Sequence, residues 1–104
     1  MLLILCNCPT AALAEQISHQ LLQRRLIACA NLLPSVRSIY SWQGKIEQAE
    51  EVPLLLKIRQ QDYTEVEQAI LALHPYQVPE IIALPVESAL TSYQNWLYEV
   101  TQRD

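Results

Sequence analysis

Residues 38–46, Ser38-Ile39-Tyr40-Ser41-Trp42-Gln43-Gly44-Lys45-Ile46, decide the fold of this chain. Gly44 is the only glycine among 104 residues, and it stands between two extended stretches. A residue free to adopt positive φ at that place reads as the turn of a β-hairpin. Upstream, Ile27 to Trp42 is β-like, with Val36, Ser38, Tyr40 and Trp42 on one face. Pro34 and Ser35 interrupt it, and because proline brings no ladder donor they predict a bend or bulge. Downstream, from Lys45 to Arg59, Ile46, Val52, Leu54, Leu56 and Ile58 share one parity, while Lys45, Glu47, Glu51, Lys57 and Arg59 share the other, which is predicted to face water. At about 3.3 Å per residue such an arm reaches roughly 45 Å, more than a compact domain of this size spans. The hairpin tip must therefore meet a partner or stand bare.

Working outward, Leu2 to Cys6 is an apolar run of strand length, followed by Pro9 and by Thr10, a residue able to cap a helix. Leu13, Ile17 and Leu21 then recur at helical spacing from Ala11 to Arg25, with Arg24 and Arg25 in the last turn, where cations suit the dipole. Asp62 with Glu65 reads as a capping box for a second helix striped by Val66, Ile70 and Leu73, closed by His74 before Pro75. Pro79 opens a short buried strand, Ile81 to Val86, and Tyr93, Trp96, Leu97 and Val100 predict a third helix. There are no internal repeats or low-complexity stretches. The order predicts an α+β class, a ferredoxin-like β-α-β-β-α-β sandwich over residues 1–104 as a single domain, with an extra C-terminal helix and a long hairpin between the second and third strands. Four strands would form one antiparallel sheet with two helices on one face. Its other face, partly apolar, is a natural assembly surface.

Composition narrows the function. A 51% hydrophobic content suffices for one core, and a domain this small gains from burying more surface between subunits. The net charge of -4, with basic residues not gathered into a run, argues against nucleic acid as a partner. The apolar start lacks a basic n-region, a long h-region and a small-residue cleavage site, so the expectation is a cytoplasmic protein without membrane attachment. Cys6, Cys8 and Cys29 cannot all pair within one chain and read as reduced thiols. One glycine leaves no phosphate-cradling loop, and neither G-x-S-x-G, H-E-x-x-H nor paired C-x-x-C occurs. The chain reads as a binding protein, not an enzyme.

Several residues could carry that binding. Cys6 and Cys8 point the same way on a strand, where thiolates suit soft ions such as Cu(I), although buried cysteine also serves as a small hydrophobe. His74 and Glu80 flank a proline-stiffened segment and could hold a cation or a ligand. Alternatively, His74 answers the helix dipole and Glu80 pairs with a basic neighbour. Tyr40 and Trp42 would line a cleft or cover a neighbouring subunit. Lys57 either meets a carboxylate such as Glu80 or faces solvent. His19, on the polar side of the first helix, reads as exposed.

Four segments carry a family resemblance: Cys29-Ala30-Asn31, the hairpin from Ser38 to Ile46, Glu51 to Lys57, and His74-Pro75-Tyr76-Gln77-Val78-Pro79-Glu80-Ile81. Together they resemble the CutA divalent-cation tolerance family over nearly the whole chain. The resemblance implies a tight homotrimer, PII-like in architecture, whose long strands pair across subunits, and a cytoplasmic role in cation tolerance. It places Tyr40, Trp42, Lys57 and Tyr76 at an intersubunit cleft and makes Cys29, His74 and Glu80 the metal candidates, for copper or another divalent cation. The alternative it leaves open is a PII-like sensor or adaptor, binding a small anionic metabolite with charge from Lys57 and Arg59 and acting through a partner protein. Two departures stand out: Cys6-Asn7-Cys8 replaces a threonine-rich strand end, and Pro53 stands in the second arm where an aliphatic residue is usual.

Overall fold

The apolar run after Met1 becomes β1, Leu2–Cys8, with Ile4, Cys6 and Cys8 turned inward and fully buried; the computed structural model describes residues 1–103. Thr10 caps α1, Ala11–Gln23, its hydroxyl oxygen accepting the Leu13 N–H at 3.1 Å. The helix stops before the two arginines that the sequence places in its last turn. Arg24 is the cap and Arg25 turns left-handed at φ 57.

The first arm of the hairpin is split. Cys29–Leu32 forms β2 and Val36–Trp42 forms β3, and both pair antiparallel with one long strand, β4, Lys45–Ile58. Between Leu32↔Leu54 and Val36↔Glu51 the first arm carries one residue more than β4, as in a β-bulge. Pro34 falls inside that surplus, so the sheet has five strands, not four. β4 itself runs unbroken through Pro53, whose carbonyl accepts the Leu33 N–H at 2.9 Å. Gln43 and Gly44 both take positive φ, 51° and 79°, which makes the tight turn the lone glycine predicted.

β1 pairs antiparallel with β4 on one side and with β5, Ile81–Pro85, on the other. The path β2-β4-β1-β5, with β3 extending the β4 pairing, is the ferredoxin-like arrangement. α1 and α2, Tyr63–Leu73, bring Ile17, Leu21, Val66 and Ile70 into one core with Ile4, Leu54, Leu56 and Ile58. α3, Thr91–Val100, buries Leu97.

The capping box does not form. Gln60–Asp62 winds into a 3-10 turn ahead of α2, and the Asp62 side chain makes no cap bond. Its carboxylate is buried and taken by Arg103 at 2.6 Å. A tertiary ion pair has outcompeted the local bond that Asp62 and Glu65 offered.

The other sheet face and the hairpin remain open. Ile82 and Leu84 are exposed, and at the hairpin tip Ile46 is 82% exposed. The radius of gyration is 14.4 Å and the longest axis 45 Å. A compact chain of this length would have a radius near 13 Å, so the hairpin projects.

Candidate cation and ligand cleft

Where β3 and β4 leave the body of the sheet, the segment from His74 to Glu80 folds back beside them. The two enclose a cleft of about 720 Å³, lined among others by Asn7, Tyr40, Trp42, Glu51, Tyr76 and Glu80. Tyr40 and Trp42 stand on one face of β3, as the alternation predicted, and Tyr76 and Glu80 come from the proline-bracketed segment. Four of the expected site residues thus meet within one chain.

His74 stands behind this wall. It caps α2, is buried, and its Nε2 lies 2.9 Å from the Asn7 carbonyl oxygen. The Tyr76 amide donates to its Nδ1 at 3.3 Å, and the two rings pack edge to face at 4.7 Å. Because an amide can only donate to a bare nitrogen, this network assigns the proton to Nε2, which donates to Asn7. His74 therefore fixes Tyr76 and the turn into the cleft.

Glu51 is the member that strand alternation hides. Its parity with Lys57 and Arg59 predicted a solvated carboxylate, yet it is only 7% exposed. Alternation says which face a side chain takes, and it does not say that a distant segment will fold over that face. Burial, with the Glu51 carboxylate beside it, pushes the Tyr76 hydroxyl up to about 12. No lysine or arginine lines the cleft, and among the described residues the one ion pair is Arg103 with Asp62, remote from it. The expected basic neighbour of Glu80 is therefore not there.

Cys29 and Lys57 lie elsewhere. They face each other in the β2–β4 ladder, at the end of the sheet where Lys57 also registers with Leu3, whereas Asn7 registers with Pro53. The Cys29 thiol lies 3.5 Å from the Tyr93 hydroxyl, which this contact and burial push up to about 12. Lys57 donates to the Asn31 side-chain oxygen, and Arg59 is engaged with Thr101 at 2.8 Å and stacks over Tyr98. Within a chain, then, Cys29 does not join His74 and Glu80, and neither Lys57 nor Arg59 supplies charge to the cleft.

Comparison with known proteins bears on the family and the fold. The family model described as CutA1 divalent ion tolerance protein matches residues 2–100. The divalent-cation tolerance protein CutA of Thermus thermophilus is 39% identical over 98 residues, covering 94% of this chain and 95% of that one. Protein CutA of Mus musculus is 39% identical over 96 residues, 92% of this chain, which spans about half (54%) of the mouse protein. Among solved structures, the periplasmic divalent cation tolerance protein CutA from Archaeoglobus fulgidus superimposes with a TM-score of 0.95 at 34% identity, covering 98% of this chain and 100% of that one.

Proposed function

Because the chain belongs to the CutA1 divalent ion tolerance family, we propose that it is a cytoplasmic homotrimer that serves cation tolerance by binding a divalent ion in the cleft between the hairpin and the His74–Glu80 segment. The observation that carries this reading is charge. Glu51, buried, and Glu80 line one cleft with no basic side chain. The Tyr76 hydroxyl beside Glu51 leaves its negative charge unneutralised, and together with Glu80 it offers oxygen donors that a cation would balance. Carboxylate oxygens suit hard and borderline ions, so Mn(II), Zn(II) and Cu(II) are the ions to try.

The exposed apolar surfaces support the assembly. Ile82 and Leu84 on the outer sheet face and Ile46 at the projecting tip are exposed among the described residues, and a trimer in which the long strands pair across subunits would bury them. Cys29 and Lys57 would reach a cleft only as the neighbouring subunit's contribution.

Calorimetric titration of the purified protein with each ion tests the reading. Saturation at one ion per chain is expected, with loss in both Glu51→Gln and Glu80→Gln. Unchanged binding in both variants refutes the cleft as the site. Light scattering at the same concentrations reads the trimer, and a monomer refutes that part.

The volume and aromatic walls of the cleft favour a second reading, a sensor or adaptor that takes a small molecule. Its acidic lining favours a neutral or cationic ligand over the anionic metabolite that Lys57 and Arg59 would have suited. A thermal-shift screen separates the two, since a ligand bound only by the native state raises the melting temperature.

A further inference from the structure

The cleft combines two kinds of lining. Three aromatic side chains face it, Tyr40 and Trp42 from β3 and Tyr76 from the proline-bracketed segment, together with the carboxylates of Glu51 and Glu80. The Tyr76 hydroxyl feels both the Glu51 carboxylate and the Tyr40 hydroxyl, so residues from three segments converge on one part of the cleft. His74 packs edge to face on Tyr76 at 4.7 Å and accepts its amide at Nδ1, which holds that ring in place before any ligand arrives. All three rings remain exposed in the chain, so a ligand can reach them. A bare metal ion would use little of this lining. It bonds to oxygens at about 2.0–2.6 Å, whereas a cleft of about 720 Å³ has the size that holds a whole organic molecule. Aromatic faces, moreover, attract cations through their negative quadrupole, and an alkylated ammonium gives up little water to reach them.

We infer that the cleft takes an organic ammonium ion, its charge held beside Glu51 and Glu80 and its alkyl groups laid on Tyr40, Trp42 and Tyr76. The inference rests on the reading of the cleft as a cation site and names the ligand class of its small-molecule form. Charge and apolar surface in one molecule match both kinds of lining at once. An anion would meet two carboxylates with no lysine or arginine to offset them, which disfavours phosphates and carboxylic acids. An uncharged molecule of the same shape would lie on the rings and leave the carboxylates unbalanced. Methylation of the nitrogen weakens its hydration and spreads its charge over the groups that touch the rings, so a methylated ammonium is the member of the class these walls suit best.

Choline serves as the probe, and dimethylbutanol, in which carbon replaces the charged nitrogen, as its uncharged isostere. The chain has two tryptophans, so in a magnetic resonance titration choline should move one indole N–H signal, the one absent from Trp42→Leu, and leave that of Trp96 in place. The wild type should bind choline about tenfold tighter than dimethylbutanol, a comparison that needs no variant to fold. Glu51→Gln and Trp42→Leu should each weaken choline by roughly tenfold. Equal affinity for the isostere, or movement of neither indole signal, would overturn the inference. If Mn(II) or Zn(II) then still binds and Glu51→Gln abolishes that binding, the cation reading of the cleft stands without the ammonium ligand; if neither ion binds, both fall together.

Discussion

Arg103→Ala should loosen the whole fold, and the reason lies at Asp62. That side chain is 5% exposed, one of its oxygens accepts from the Arg103 guanidinium at 2.6 Å, and the other has no partner. Arg103 also donates to the carbonyls of Arg25 and Thr101, so it fastens the C-terminal segment to the end of α1 and to the start of α2. Removing one partner of a fully buried pair costs about 3–5 kcal/mol because the other charge is stranded. The Arg103 side chain is 32% exposed, so water already competes for it and the expected loss is smaller, about 2–3 kcal/mol. Urea unfolding at one fixed protein concentration reads this as a lower midpoint with an unchanged slope. Asp62→Asn removes the stranded charge, so the double variant should lose less than the sum of the single losses, by about 1.5 kcal/mol. A coupling below about 0.5 kcal/mol would refute the reasoning and reduce the pair to an ordinary surface contact.

Three further outcomes are expected. Thr10→Ala removes the hydroxyl that accepts the Leu13 N–H and should cost about 1 kcal/mol in urea unfolding. Gly44→Ala meets nothing within 4 Å of an added Cβ but must hold φ +79, so it should cost about 1 kcal/mol through backbone strain alone. Tyr76 and Tyr93, raised from 10.0 to about 12, should ionise late in a spectrophotometric titration, and Tyr76→Phe should remove one late step. Since the folded state keeps those protons longer than the unfolded one, the stability they contribute is fully present below pH 10.0 and is lost as pH rises to about 12.

Most of the fold was legible because its signals are local and agree with one another. A lone glycine, alternating arms, a threonine cap and an apolar residue at every fourth position each report on neighbours a few residues away. The misreadings arise where a distant partner intervenes. Asp62 and Glu65 offer a capping box on local grounds, yet a buried carboxylate beside Arg103 finds a stronger partner 41 residues on. The split of the first arm was signalled by Pro34, but whether it makes a bend or two separate strands depends on the register against β4.

The site shows the same division. Tyr40, Trp42, Tyr76 and Glu80 are visible as two short motifs, and the fold sets them in one cleft. Glu51 is not visible, because its burial depends on a segment about 25 residues later in the chain, a separation that pleat alternation does not sense. The same alternation, however, accounts for how the donors are sorted. On β1 the side chains of Cys6 and Cys8 enter the core while Asn7 between them reaches the cleft. Thiols thus collect on the dry side of the strand, and carboxylates collect with Asn7 on the other. The Asn7 carbonyl, held by His74, joins the two sides. His74→Ala should therefore release the Tyr76 turn, read as loss of the late step that Tyr76 contributes to a spectrophotometric titration; an unchanged late step would refute that support.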